Sequence, residues 1–95
     1  MRIKDVLWLP DVIDKLDWKH SVVPEKVEQV FSSTPRYRRI ERGRVYREDL
    51  YAALGQTEAG RYLIVFFIYK KSGAALVISA RDMTPKERKQ YARQG

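Results

Sequence analysis

The run Tyr62–Tyr69 constrains the fold more than any other part of this sequence, because apolar side chains occupy both alternating sides of it. A strand of this kind lies in the middle of a sheet, with both faces largely covered. Strand-like runs at residues 50–57 and 75–81 flank it. The connecting residues 58–61 and 70–73 each contain a glycine and have hairpin length. The sequence therefore predicts three consecutive antiparallel strands with Tyr62–Tyr69 in the centre.

Two helices are predicted ahead of these strands. Pro10 and Pro24 each open a segment with apolar residues at helical spacing, and proline is accepted in the first turn of a helix. The apolar residues that form the two patterns are Val12, Ile13, Leu16, Val27, Val30 and Phe31. Residues 3–8 predict a short edge strand, and the arginine-rich residues 37–46 predict a further edge strand or a mobile ribbon.

The C-terminal part opens with a capping box, since Thr84, Pro85 and Glu87 stand at N-cap, N1 and N3 of a helix that runs to about residue 93. In the strand before it, simple alternation places Leu76 and Ile78 towards the helices and the later Arg81 on the opposite face. These elements predict one α+β domain over residues 1–95, a small antiparallel meander with two N-terminal helices on one face and a short C-terminal helix.

Charge is unevenly distributed along the chain. The 95 residues carry a net charge of +7, yet residues 1–35 are slightly acidic, so residues 36–95 carry all of the excess positive charge. Six arginines lie between positions 36 and 47. This pattern favours a scaffold in the first third and a working surface for a polyanion or an acidic partner in the remainder.

Composition excludes several kinds of site. Without cysteine the chain forms no disulfide and no thiolate metal site, and one histidine excludes a two-histidine acid–base pair. The carboxylates of the basic part have no recognisable ligand spacing, so we expect neither a metal nor another cofactor. The sequence shows no signal peptide, and its longest apolar run is far shorter than the roughly 20 residues that span a bilayer. A cytoplasmic protein without membrane contact is expected.

Several motifs, in the same order along the chain, resemble the BrnT family of toxins from bacterial type II toxin–antitoxin pairs. They are Trp8, Lys15, Lys19-His20, Val30-Phe31, Ala53-Leu54-Gly55, residues 60–65, Ile78-Ser79-Ala80-Arg81 and residues 84–91. The pair formed by the last two motifs is fairly specific. The sequence departs from the family at Ser21, where a glycine usually follows the histidine, and at Val23, where a polar cap is common.

The resemblance implies a fold similar to RelE-type toxins and a ribonuclease activity that halts growth. It also implies inactivation by a cognate antitoxin with a ribbon-helix-helix domain, through which the toxin would meet DNA only indirectly. The alternative is a non-catalytic basic module that binds RNA or an acidic protein. A third reading is a protein whose only role is to form a complex with its antitoxin.

Metal-independent RNA cleavage requires a base for the 2′-hydroxyl, an acid for the leaving oxygen and cations for the charge that develops on the phosphate. Arginine suits only the last role, so proton transfer must come from histidine, lysine, a carboxylate or tyrosine. Candidate catalytic residues are Arg81, Arg88, Tyr91, His20, Lys19 and Arg61. Candidate residues for binding RNA or the antitoxin are Arg36, Arg38, Arg39, Arg42, Arg44, Arg47 and Lys15.

Most candidates also have a structural interpretation. Arg81 either binds phosphate or forms a salt bridge with Asp82 or Glu87. His20 either exchanges protons or serves as a helix cap or a structural hydrogen-bonding group. The arginine-rich segment either lines an RNA backbone or receives an acidic antitoxin segment.

The remaining candidates divide in the same way. Arg88 and Tyr91 either present a charge and a stacking ring to RNA, or Tyr91 only docks the last helix. Arg61 is either a site residue or a solvated turn arginine. Lys15 and Lys19 either contact RNA or pair with neighbouring aspartates on a solvated helix face.

Overall fold

The computed structural model describes residues 1–43 and 48–93 of the chain. Within these residues the elements are β1 (Asp5–Leu7), α1 (Pro10–His20), α2 (Pro24–Ser32), β2 (Arg36–Glu41), β3 (Leu50–Gln56), β4 (Tyr62–Tyr69), β5 (Ala74–Asp82) and α3 (Pro85–Arg93). No helix in these two ranges has the length and apolar character needed to cross a membrane.

The described strands form one sheet in the order β1-β5-β4-β3-β2. Strands β2 to β5 are antiparallel to their neighbours, whereas β1 pairs with β5 in parallel. The predicted α+β class, the meander and the central position of β4 are confirmed, and β1 and β2 lie at the two edges as expected. The parallel pairing of β1, which the sequence pattern did not specify, makes the sheet mixed.

The main core lies between the sheet and helices α1 and α2. Leu63, Val65 and Phe67 of β4 are fully buried on this face. The buried helix residues packed on this face are Leu16, Val27 and Val30. Each such side chain contributes about 1.5 to 3 kcal/mol when it leaves water, so this layer supplies most of the stability. The predicted packing of the two N-terminal helices on one face is confirmed.

A smaller core lies on the opposite face, under α3. Ala52, Leu54 and Ile64 are buried there with Met83, and Tyr91 of α3 packs against them. No described residue of α3 is itself buried. The C-terminal helix therefore covers part of the second face while its own side chains remain accessible.

Strand β5 contains a β-bulge that the sequence analysis did not predict. Phe66 of β4 is the register partner of Ser79, but the next residue, Phe67, is the partner of Val77. Ile78 is therefore an extra residue without a partner in β4. An extra residue of this kind reverses the inward–outward alternation beyond it.

The prediction for the faces of this strand is consequently wrong. Val77 and Ala80, three positions apart, both point towards α1 and α2 and are fully buried. Leu76 lies on the other face, and Ile78 is 39 % exposed. Arg81 shares that other face with Leu76 instead of opposing it, because the bulge lies between them.

Helix α1 ends in a left-handed turn at Ser21, whose φ is 53°. The amide of Ser21 donates to the carbonyl of Asp17, and the amide of Val22 donates to that of Leu16. The bond from Ser21 to Asp17 is the 5→1 bond of the αL cap, and the buried side chain of Val22 anchors the turn. The pattern explains why glycine is usual at this position in the family that the sequence resembles.

Replacing Ser21 with glycine should stabilise the protein by about 1 kcal/mol, because a non-glycine residue costs about that much in the left-handed region. Urea unfolding measures the change. Ser32→Gly is the matched control: it introduces glycine at the last residue of α2, where φ is not positive, and should destabilise by up to about 0.5 to 1 kcal/mol. Equal effects of the two substitutions would contradict this explanation.

Candidate active site

The N-terminus of α3 is fixed by the predicted capping box and by Arg81. The amide of Thr84 donates to Glu87 at 2.8 Å, and the amide of Glu87 donates to the hydroxyl of Thr84 at 3.1 Å. Arg81 donates two further bonds to the same carboxylate, at 2.8 and 3.0 Å. Of the two carboxylates considered for Arg81, Glu87 is thus the salt-bridge partner of its side chain.

This pairing changes the protonation of both partners. The hydrogen bond from Arg81 lowers the pKa of Glu87 from 4.5 to about 2, with smaller lowering contributions from Thr84 and an opposing effect of burial. Hydrogen bonding to Glu87 raises the pKa of Arg81 above its ordinary value. A phosphate that approaches Arg81 would have to compete with this carboxylate.

Arg88 and Tyr91 both contact Tyr62, the first residue of β4. The guanidinium carbon of Arg88 lies 4.1 Å from the centre of the Tyr62 ring, which is close enough for a cation–π contact. The ring of Tyr91 meets Tyr62 edge-on with centroids 6.0 Å apart. The exposed Arg88 is therefore held by an aromatic surface rather than by a carboxylate, and no salt bridge within the described part of the chain includes it.

Arg61 ties three elements together. Its guanidinium donates to the carbonyl of His20 and to that of Ser21, each at 2.7 Å, at the C-terminal end of α1. Its Nε donates to Asp82 at 2.7 Å, and a second bond of 3.3 Å reaches the other carboxylate oxygen. Arg61 thus satisfies helix-end carbonyls and links α1 to the strands, which is neither of the two roles considered from the sequence.

These groups border an open cleft of about 340 Å³ at the end of the sheet. It is lined by Arg61, Tyr62, Asp82, Met83 and Arg88, together with Gly60 at the hairpin. Two of the predicted catalytic arginines, Arg61 and Arg88, are thus brought together. Arg81 lies on the same side of the sheet as α3, with its guanidinium carbon 5.5 Å from the centre of the Phe66 ring.

His20 lies at the side of this cleft where α1 ends. Hydrogen bonding from Arg61 lowers the pKa of Asp82 against the opposing effect of burial, and the nearby charges of His20 and Lys26 add to the lowering. The side chain of His20 is half-buried. Its backbone carbonyl holds Arg61, and its imidazole is close enough to Asp82 to be felt electrostatically.

The arginines of β2 divide between the two faces of the sheet. Arg36 is the register partner of Leu54 and Arg38 that of Ala52, so both point to the α3 side. Arg38 donates to the side-chain amide of Gln90 on α3 at 3.3 Å. A line of positive charge therefore continues from α3 to this edge of the sheet.

The other members of the arginine-rich segment lie elsewhere. Arg39 points to the opposite face and is 3.7 Å from Asp49, with half of its side chain exposed. Arg42 follows β2 and is exposed. Arg44 and Arg47 lie outside the described residues, so their predicted binding roles have no structural description.

The two lysines of α1 are exposed along that helix. Lys19 precedes His20 at the end nearest the cleft, whereas Lys15 is one turn further away. Within residues 1–43 and 48–93, neither lysine forms a salt bridge with an aspartate. In the same ranges no three His, Asp or Glu side chains group in a way that could hold a metal ion.

Sequence reasoning missed Tyr62 and Asp82 as parts of the site. Tyr62 was assigned to the apolar strand, although its position at the first residue of that strand allows the ring to reach α3. Asp82 was considered only as a partner of its neighbour Arg81. Its side chain instead pairs with Arg61, 21 positions earlier, and no local pattern indicates that contact.

A small basic α+β domain with arginine and tyrosine side chains around an open cleft belongs to a class suited to binding RNA. The sequence model of the ribonuclease toxin BrnT, of type II toxin–antitoxin systems, matches residues 14–87. The match covers most of the chain, which therefore belongs to the BrnT family, and the resemblance is confirmed. A comparison with curated proteins finds no significant match.

The matched region includes His20, Arg61 and Arg81 and ends at Glu87. Arg88 and Tyr91 lie just beyond this region. Their place in the candidate active site therefore rests on the resemblance of residues 84–91 and on their contacts with Tyr62.

Replacing Glu87 with glutamine should lower the free energy of unfolding by about 1 to 2 kcal/mol at neutral pH, because the charged partner of Arg81 is lost. The lowered pKa also determines the direction in which stability changes with pH. The contribution of the Glu87 carboxylate is fully present above its unfolded pKa of 4.5 and is lost as pH falls towards about 2. Thermal unfolding across this range should therefore show a weaker acid dependence in Glu87→Gln.

The matched control is Glu25→Gln, which neutralises an exposed glutamate in the first turn of α2. Its unfolding should follow the wild-type pH dependence. An unchanged acid dependence in Glu87→Gln would mean that the contact with Arg81 contributes nothing to stability.

Proposed function

We propose that this BrnT-family chain is a metal-independent endoribonuclease that cleaves RNA and arrests growth until its antitoxin binds. The observation that carries the proposal is the position of Arg88, which lies over the ring of Tyr62 beside the cleft, with Tyr91 against the same ring. The guanidinium carbon is 4.1 Å from the ring centre, and the residue is exposed. Such a guanidinium can donate two parallel hydrogen bonds to a phosphate without first breaking a salt bridge.

The three arginines that were predicted as catalytic receive different roles in this proposal. Arg88 binds the scissile phosphate and stabilises the charge that develops when the 2′-hydroxyl attacks. Arg81 acts as a positioning residue, because its bonds to Glu87 set the start of α3 and therefore the place of Arg88. Arg61 forms the wall of the cleft, since its nitrogens already donate to two carbonyls and to Asp82.

Proton transfer is assigned to His20. Imidazole is the side chain best suited to exchange protons near neutral pH, and His20 lies at the end of α1 beside the cleft. Its role in this proposal is to donate a proton to the leaving oxygen. Lys19 adds positive charge on the same side, and Tyr91 offers a ring on which a base can stack.

The rest of the basic surface extends the RNA path. Arg36 and Arg38 point to the α3 side of the sheet, so an RNA strand leaving the cleft along α3 would meet them next. Arg39, Arg42 and Lys15 lie further away and contribute through long-range attraction. The natural partner in this proposal is a cytoplasmic antitoxin of the ribbon-helix-helix type, which connects the toxin to DNA.

Arg88→Ala should reduce cleavage of a defined RNA about a hundredfold or more, because removing one preorganised donor to a developing charge typically costs that much. Stability should change little, since Arg88 is exposed. The assay uses the purified chain with and without EDTA, and Lys86→Ala serves as the control because it removes an equal charge from an exposed position in the first turn of α3.

Three results would count against the proposal. Equal cleavage by Arg88→Ala and wild type would remove Arg88 from the site. Loss of wild-type cleavage in EDTA would overturn metal independence. Salt-sensitive RNA binding without any product, from a folded sample, would favour the alternative of a non-catalytic binding module.

A further inference from the structure

Four aliphatic side chains form a continuous row across the α3 side of the sheet. The register pairs Leu50 with Ile68, Ile68 with Leu76, and Leu76 with Leu7, so the row crosses β3, β4, β5 and β1. Side chains of directly paired residues point to the same face. We call Leu7, Leu76, Ile68 and Leu50 the aliphatic row.

The aliphatic row is only partly covered. Leu7 is 40 % exposed, and the other three members are half-buried. In contrast, Ile64, Leu54 and Ala52 on the same face are buried, with Tyr91 of α3 packed against them. The C-terminal helix therefore shields one end of this face and leaves the other end accessible.

Neighbouring side chains extend this apolar surface. Phe66 is half-buried in the next register row, and Ile78, the extra residue of the bulge, is 39 % exposed. Contiguous apolar area of this kind is unfavourable in water, and on a folded protein it typically marks a surface that another molecule covers.

The charge beside the aliphatic row indicates which molecule fits. Arg38 occupies the same register row as Phe66, and its described partner is the neutral amide of Gln90. Neither Arg36 nor Arg38 forms a salt bridge with another residue of the ranges 1–43 and 48–93. A second copy of the chain would bring another net charge of +7 against these arginines. RNA would meet the arginines but would leave the aliphatic side chains without apolar contacts.

We propose that the aliphatic row is the docking surface for an amphipathic segment of a partner protein, with its apolar side on the row and acidic residues facing Arg36 and Arg38. The inference rests on the proposed toxin–antitoxin role for the identity of that partner, which is then the antitoxin. It does not depend on the cleavage chemistry. Binding there would place the partner next to α3 and the cleft, so one segment could hold the toxin and obstruct RNA.

A synthetic helical peptide of about 18 residues, or about five turns, tests the surface. It carries leucine and isoleucine along one side and glutamate along the other, and a second peptide replaces each glutamate with lysine. Fluorescence anisotropy measures the binding of each labelled peptide to the full chain. The acidic peptide should bind, and the basic one should bind at least about tenfold more weakly.

Three variants test whether the peptide binds to the aliphatic row and its neighbouring arginine or to another part of the surface. Leu7→Gln combined with Leu76→Gln should weaken binding of the acidic peptide at least about tenfold, because two apolar contacts are lost. Arg38→Glu should weaken binding about five- to tenfold and reduce its salt dependence. The control Leu9→Gln changes a leucine that is 46 % exposed outside the row, and it should bind within about twofold of wild type. Thermal unfolding verifies that each variant is folded.

Several outcomes would overturn the inference. Equal binding of both peptides, or unchanged binding to the folded row variants, would mean that the row is not a docking surface for an acidic segment. Loss of labelled oligouridine binding in the row variants would assign the surface to RNA. A wild-type dimer that the row variants dissociate would assign it to a second copy.

The RNA cleavage assay keeps the two proposals separate. Row variants should cleave RNA at the wild-type rate, because their substituted side chains lie outside the cleft. Absence of wild-type cleavage together with intact peptide binding would reject the nuclease and retain the docking surface. Cleavage without peptide binding would do the reverse.

Discussion

The architecture depends on the need to cover both faces of β4. Leu63, Val65 and Phe67 require a layer on one side, and Ile64 requires one on the other. Helices α1 and α2 provide the first layer with their apolar sides. The second layer is the short α3, which has no buried residue of its own among those described. Because this second cover is small, the α3 side of the sheet holds both the candidate cleft and the exposed aliphatic side chains.

Positive charge serves two separate purposes in this chain. Arg61 and Arg81 each bind a carboxylate, and Arg61 also binds two helix-end carbonyls, so these residues hold elements in place. Arg88 rests on an aromatic ring and keeps its donors accessible. Counting arginines therefore overestimates the number that can meet a phosphate. The distinction follows from what each guanidinium touches, which composition does not reveal.

Much of the fold could be predicted because its signals are local. Proline at the helix starts, the box formed by Thr84 and Glu87, and the glycine-containing hairpins each act within a few residues. The bulge at Ile78 could not be predicted, because a run of apolar and small residues reads as regular alternation whether or not one residue is extra. That single shift is why the inward and outward faces of β5 were assigned incorrectly.

The candidate site was predictable in its residue types but not in its contacts. The pairing of Arg81 with Glu87 spans six positions and was among the alternatives considered from the sequence. The contacts of Arg61 with His20, Ser21 and Asp82 span 21 positions or more and depend on how α1 meets the strands. Family membership supplied the ribonuclease toxin assignment, which neither periodicity nor charge could provide.

The bulge also makes one sheet face tolerant of a change in chain length. Deleting Ile78 would restore regular pairing and leave the side chains that follow on their present sides, since Val77 and Ser79 already pair with adjacent residues of β4. Arg81 would remain opposite Ile64 on the α3 face, and Asp82 would remain opposite Leu63. A three-nucleotide deletion at this position that keeps the reading frame would thus preserve the positive charge beneath the C-terminal helix.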